Sequence, residues 1–195
     1  MPVKIRPATE SDLPQIHSIF THYVRNTVIT FLTNSPPLSY IGKRLHEAQE
    51  RGLPYLVAVE HFEQDNTRTG GNIQEKVCGY TQASPFRGHM LSYGPTVEMS
   101  LFVHPEYHSQ GIGSILLSSL VEALKDAEHR CSEYAGDAGS EVRVHEVLKV
   151  KSILAIMAVN PDGKNGGEGL RDWYVQRGFM ERGRLKEVGF KHGKW

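Results

Sequence analysis

The residues best placed to do chemistry lie in one stretch, Thr96-Val97-Glu98-Met99-Ser100-Leu101-Phe102-Val103-His104-Pro105-Glu106-Tyr107-His108-Ser109-Gln110-Gly111-Ile112-Gly113-Ser114. An apolar strand ends at a proline, a turn follows, then two glycines in G-x-G spacing, then an amphipathic helix. The first N–H groups of a helix have no partner within it, and the macrodipole adds partial positive charge there. Glycines let a phosphate approach such a backbone closely. This stretch therefore has the makings of an anion cradle built from main-chain amides. The plain alternative is that Gly111 and Gly113 merely allow a tight strand-to-helix turn. Glu98 is the one ionisable residue of the strand. A carboxylate among apolar neighbours is costly unless it has a role or faces outward. Proton acceptance as a general base is one such role; an outward Glu on a two-faced strand is the other reading.

The other phosphate loops do not fit. No G-x-x-x-x-G-K-S/T is present, and Leu116 stands where a third dinucleotide-fold glycine would be. A phosphate-bearing cosubstrate other than a nicotinamide or a nucleoside triphosphate suits the loop better. The ten histidines do not point to a metal. His104 and His108 are four apart, but Pro105 takes them off a helix, and no HExxH occurs, so no metal is expected.

Several elements must position these residues. Residues 3–5 read as a short strand. Thr9, Ser11 and Asp12 are helix starters, followed by helical spacing over 13–24 with Pro14 in the first turn. A second helix spans 39–51, and strands are expected at 55–59, 77–83 and 96–103. Residues 61–74 are polar and read as a surface loop with Gly70-Gly71 inside it. Residues 111–127 form the clearest helix, with Leu116, Leu117, Leu120, Val121 and Leu124 on one face. Residues 136–140 are turn-like; 141–150 alternate as a strand would, though a helix also fits. An apolar strand is expected at 153–159, a helix at 170–177 closed by Gly178, and a last strand at 184–190. Strands alternating with helices predict an α/β (α+β) architecture, a mixed sheet covered by helices.

Composition fits one globular unit. The 195 residues are 39% hydrophobic and 23% charged, and 22 basic residues balance 22 acidic ones. A neutral chain is a poor general nucleic-acid binder, which needs a basic excess against phosphate. The two cysteines, Cys78 and Cys131, lack metal spacing and read as buried thiols. No window is apolar enough for a membrane span. Residues 1–6 show no apolar signal region. A cytoplasmic protein is therefore expected, with neither nucleic acid nor membrane as partner.

His108-Ser109-Gln110-Gly111-Ile112-Gly113 resembles the GNAT N-acetyltransferase signature Gln/Arg-x-x-Gly-x-Gly/Ala, with His in the first place. Within that family the chain is similar to the phosphinothricin and methionine-sulfoximine acetyltransferases. The similarity rests on Ile5-Arg6-Pro7-Ala8-Thr9 with Asp12-Leu13, Tyr23-Val24 with Thr27 and Thr30-Phe31, and Gly79-Tyr80 with Ala83-Ser84-Pro85-Phe86-Arg87. It continues through Thr96-Val97-Glu98, Gly178-Phe179, and Gly189-Phe190-Lys191 with Gly193-Lys194-Trp195. The resemblance implies one GNAT domain over 1–195, with insertions near 61–75 and 128–150 and a sheet splayed at the cofactor. It implies transfer of acetyl from acetyl-CoA to the primary amine of a small amino-acid-like acceptor, and a homodimer. Glu98 would be the base, and Tyr174, four residues before Gly178-Phe179, the acid.

The resemblance also assigns binding roles. Leu101, Phe102 and Val103 would meet the acetyl and pantetheine groups through their backbone. His108, Ser109, Gln110, Gly111, Ile112, Gly113 and Ser114 would hold the diphosphate. Asn160 and Asn165 compete for a further contact with coenzyme A. Phe31, Phe86, Arg87 and Tyr93 would line the acceptor pocket, with Arg87 pairing a carboxylate or, on the plainer reading, solvated. Two rival functions remain: acetylation of a protein or peptide amine, and a coenzyme A-sensing module without turnover.

Overall fold

The computed structural model describes residues 3–64, 72–88, 90–136 and 142–194. The chain divides into two compact units, with breaks at Ile19/Phe20, Pro36/Pro37 and Ala155/Ile156.

The first unit is built on a five-stranded mixed sheet. In chain order it contains β1 (Lys4–Pro7), the start of α1 (Leu13–Asn26), α2 (Leu38–Glu50), β2 (Tyr55–Gln64), β3 (Asn72–Pro85), β4 (Thr96–Val103), α3 (Ile112–Asp126), β5 (Glu128–Ala135), β6 (Val142–Lys149) and β7 (Ser152–Ala155). Sheet order is β1-β2-β3-β4-β7, and β5-β6 form a separate two-stranded ribbon. The first four strands pair antiparallel and β7 joins β4 in parallel. Between β2 and β3 the register shifts after Ala58, so Cys78 is an extra residue on β3; its carbonyl accepts the His104 N–H at 2.8 Å. Such a bulge bends the strand where the chain after β4 departs.

Side chains alternate across a strand, and this decides what covers each face. Leu101 and Val103 of β4 pack with Ala58, Cys78, Ile112 and Leu116, so α3 covers that face. Val97 and Met99 share its parity and are buried. The opposite face carries a row of stacked rings, Tyr55, Tyr80 and Phe102, with centroids 5.9 and 5.4 Å apart. Helix α2 serves this face, burying Ile41, Leu45 and Ala48 and reaching Gln82 of β3 through Arg44. The entry to α1 is tied to β1: both Arg6 guanidinium nitrogens donate to the Asp12 carboxylate at 2.8 Å, and Asp12 accepts the Thr9 N–H.

The second unit contains the end of α1, the segment to Pro36, and residues from Ile156, including α4 (Gly169–Val175). Gly178, at φ 90°, turns the chain after α4 in a backbone region glycine adopts without strain. Lys191 is buried and donates from Nζ to the Thr30 carbonyl and hydroxyl at 2.9 and 3.0 Å. Burial lowers its pKa. Among the described residues no helix is long and apolar enough to cross a membrane.

Three sequence expectations are corrected and one open alternative is decided. Residues 61–74 are not one loop, because β2 continues to Gln64 and β3 starts at Asn72; backbone pairing extends the hairpin through polar side chains that carry no hydrophobic signal. Gly70-Gly71 lies outside the described residues. The ambiguous 141–150 stretch is a strand, β6. The apolar run 153–159 pairs only through Ala155. Residues 184–190 form no strand: Leu185 and Val188 are exposed, and no described strand pairs with them. Residues 137–140 of the expected turn lie outside the described residues.

Candidate active site

In the first unit β4 organises the predicted residues along one line. Glu98 lies opposite Ser84 of β3 and beside Leu154 of β7, half-buried. It shares a face with Ser100 and Phe102, away from α3. Pairing with β7 ends at Met99, while β4 runs on through Leu101, Phe102 and Val103. From Glu98 to Val103 the strand advances roughly 17 Å.

At the Val103 end the chain turns through a short 3-10 helix, Pro105–Tyr107, into the loop before α3. Gly111 caps α3 at φ 80°, ψ −6°, and a Cβ built there meets nothing within 4 Å. Ser109 is also left-handed, at φ 63°. The amides of Ser109, Gln110, Gly111, Ile112 and Gly113 have no hydrogen-bond partner among the described residues; those of Ser114 and Ile115 are the first to bond back, to the Gly111 carbonyl. His108, Ser109, Gln110 and Gly111 are exposed. The loop is braced from behind, Tyr107 donating to Glu60 at 2.8 Å and Glu106 pairing with Lys76 at 2.9 Å. Five consecutive amides without a partner among the described residues, at a helix N-terminus, have the chemistry to receive a di-anion.

At the Thr96 end, Phe86 donates its N–H to the Thr96 carbonyl at 3.3 Å, and its ring meets Tyr93 edge-on at 5.1 Å. Arg87 is exposed at φ 55°, its guanidinium 5.8 Å from the Phe86 ring centre. Phe86, Arg87 and Tyr93 therefore gather at the end of β4 nearer Glu98, and the amide loop stands at the other.

The second unit holds the remaining predicted residues. Tyr174 is half-buried on α4, edge-on to Trp173 at 4.9 Å and to Phe179 at 5.2 Å. Burial pushes its phenol up to about 12, so it keeps its proton at neutral pH. Asn160 accepts the Asp162 N–H on its side chain and lines an open recess of about 390 Å³ with Arg25, Thr27 and His192. Asn165 is left-handed at φ 54°. Phe31 lies against Gly189, where a Cβ would be 2.0 Å from its ring, so two distant parts of the sequence resemblance meet there.

Arg44 was not legible in the sequence. With the Gln82 amide oxygen turned toward it, Gln82 accepts from Arg44 Nε at 2.9 Å and from Nη2, and the Arg44 guanidinium stands over Tyr40. Gln82 is two residues from Ser84 on the face that carries Glu98. On a helical wheel Arg44 looks like any solvated arginine. His104 accepts from the Glu106 N–H, and among the described residues no three His, Cys, Asp or Glu side chains gather as a metal would need. Both cysteines are free and buried, and burial raises both thiols.

The profile of the Acetyltransferase (GNAT) family matches residues 30–147, which include β4, the amide loop and α3. The chain belongs to this family. It is an N-acetyltransferase related to the phosphinothricin acetyltransferases. The phosphinothricin N-acetyltransferase of Streptomyces coelicolor is 37% identical over 138 residues, 70% of this chain and 72% of its own. That of Alcaligenes faecalis is 28% identical over 191 residues, 98% of this chain and 77% of its own. The crystal structure of a GNAT superfamily phosphinothricin acetyltransferase from Sinorhizobium meliloti, in complex with AcCoA, superimposes with a TM-score of 0.70 at 28% identity. It covers all of this chain and 84% of that one.

Proposed function

We propose that this N-acetyltransferase moves acetyl from acetyl-CoA to the primary amine of a small amino-acid-like acceptor, in one step within a ternary complex. The observation that carries the reading is the run of amides from Ser109 to Gly113 with no partner among the described residues, continuous through the turn with the strand that holds Glu98. The S. meliloti relative, solved with AcCoA, supports the choice of thioester.

Each residue then has a task. The amides of Gln110 to Ser114, with His108 and Ser109 beside them, hold the diphosphate. The backbone of Leu101, Phe102 and Val103, beyond the end of the β7 pairing, lines the acetyl and pantetheine groups. Asn160 or Asn165 is the residue that the family resemblance gives a further contact with coenzyme A. Glu98 accepts the proton of the acceptor ammonium. The freed amine attacks the thioester carbonyl; the C–N bond forms, the C–S bond breaks, the thiolate takes the phenolic proton of Tyr174, and the second proton lost by the new amide nitrogen restores the phenol. Phe31, Phe86 and Tyr93 supply apolar walls for the acceptor.

Two guanidiniums of the first unit, Arg87 and Arg44, have no carboxylate partner among the described residues. Arg87 can pair with an acceptor carboxylate in forked geometry, whereas Arg44 already donates to Gln82 and Tyr40. The relatives' acceptors favour a small molecule over a peptide. The same reading takes the chain as a single-domain enzyme, a cytoplasmic homodimer, and needs no metal.

A thiol-release assay with acetyl-CoA tests the reading, using free α-amino acids, phosphinothricin, methionine sulfoximine and short peptides. Release with free amino acids or their analogues is expected. Release with peptides alone would move the function to protein amines. Coenzyme A binding with no release on any amine would make the chain a sensor.

A further inference from the structure

The β5–β6 ribbon stands apart from the central sheet, and nothing in the reaction above uses it. Its contacts are concentrated on two places. One is the end of α2. Arg130 donates from Nε to the Glu50 carbonyl at 2.6 Å, from Nη2 to the Gln49 carbonyl at 3.0 Å, and from its backbone N–H to the Arg51 carbonyl at 2.9 Å. The Gln49 and Glu50 carbonyls belong to the last turn of α2, so the guanidinium caps α2 while tying the ribbon to it.

The other place is the segment 91–95, which carries Tyr93 and leads into β4. The Glu133 carboxylate accepts the Leu91 N–H at 3.0 Å. His129 Nδ1 is 2.7 Å from the Gly94 carbonyl, which can only accept, so Nδ1 carries the proton. A Cβ on Gly94 would lie 3.0 Å from Cys131 Sγ and 2.4 Å from Leu148 Cδ1, so both strands of the ribbon press on that glycine. Where the chain leaves the ribbon, the N–H groups of Lys151 and Ser152 both donate to the Pro95 carbonyl, at 2.8 and 3.1 Å. His129 and Arg130 are consecutive, so the alternation of the strand sends one to the loop and the other to the helix.

The His129 ring sharpens the point. It is 1% exposed and its Nε2 has no hydrogen-bond partner among the described residues. A buried ring nitrogen left unsatisfied is costly. A simple filler of that volume would be apolar; what imidazole adds here is the donor to Gly94.

We propose that the β5–β6 ribbon is a strut that fixes the acceptor loop against α2, with Glu133 and His129 as positioning residues that set acceptor affinity and selectivity. This rests on the reading of Phe86, Arg87 and Tyr93 as acceptor contacts. Tyr93 sits between Leu91 and Gly94, the two anchored residues, and its ring is the edge-on partner of Phe86. Release of the anchors frees Tyr93 and, through it, the Phe86 wall. The diphosphate loop, at the far end of β4, is untouched.

The test uses the full chain with Glu133→Ala and Glu133→Gln, the second of which keeps an oxygen for the Leu91 N–H. Amide hydrogen exchange is read over residues 90–95, and KM for the acceptor and for acetyl-CoA is measured with kcat. For Glu133→Ala the expected result is exchange at Leu91 faster by about tenfold and acceptor KM raised by about fivefold. Its kcat and acetyl-CoA KM stay within about twofold, and Glu133→Gln restores both readouts. Faster exchange with an unmoved acceptor KM would reduce the ribbon to scaffold. Equal losses in both KM values would make the effect one of general stability. Unchanged exchange would deny the anchor itself. A wild-type protein that turns over no amine would sink the acetyltransferase reading and the acceptor role together, and exchange at Leu91 would still show whether the strut exists.

Discussion

Glu98 is where residue-scale reasoning meets its sharpest test. Its strand neighbours Val97 and Met99 are buried on the opposite face, while Glu98 looks to the face of Tyr80 and Phe102, half-buried and beside the end of the β7 pairing. The alternation could be read from the sequence; which face was covered by α3 could not, since that depends on which helix lands where. Glu98→Gln keeps the shape and removes the base, so kcat should fall by roughly 10²-fold with acetyl-CoA affinity unchanged. Unchanged turnover in steady-state kinetics would remove Glu98 from the mechanism. Gly111 was legible for a different reason: a helix opening after a tight turn needs a left-handed residue, and glycine takes that conformation freely. Arg87 and Arg44 show where residue types stop informing. The arginine that the family pattern marks is exposed, and the one seated on the sheet face gave no signal, because helical spacing does not say which way a long side chain folds back.

At the scale of elements, strong periodicity was a good guide. Helix α3, with Ile112, Leu116, Leu117, Leu120 and Leu124 buried, and β4 fall within a residue or so of expectation. Elements held mainly by backbone pairing were harder. The outer arms of β2 and β3 are polar, and β6 is exposed along almost its whole length, so neither carries a burial pattern. Residues 184–190 fail in the opposite sense, because alternation there lacks a partner strand. The ribbon also sets a pH dependence. Burial lowers the His129 pKa below its ordinary 6.5, opposed by the bond to Gly94 and assisted by the Arg51 charge. The folded protein then binds fewer protons than the unfolded chain in mild acid. The contribution of His129 is complete above about pH 6.5 and is lost as pH falls from there toward the folded value. Melting temperature should drop between pH 7.5 and 5.5, by roughly 2–4 °C for each kcal/mol lost. His129→Asn, which places an amide nitrogen near Nδ1 without titrating, should flatten that slope. An identical slope in the variant would show that other groups carry the effect.

On the scale of the whole molecule, the sequence order of the pieces was more informative than any one of them. Thr30-Phe31 and Gly189-Phe190-Lys191 are far apart in the chain, yet Phe31 packs on Gly189 and Lys191 bonds to Thr30. The division into two units was not legible, because both are assembled from separated segments and the first break falls inside α1. Ordinary composition and balanced charge set only the broad class. What joins fold to function is the placement of exposed amides at one end of β4, Glu98 near the other, and the family's transfer chemistry along that line. The most direct measurement is an acetyl-CoA titration followed through backbone amide resonances, with Gly113→Val beside the wild type. The expected result is saturable shifts at Gln110 to Ser114, with affinity weakened about tenfold or more in the variant, whose side chain keeps the diphosphate off the backbone. Saturation with those resonances unmoved, or equal affinity in the variant, would contradict the account.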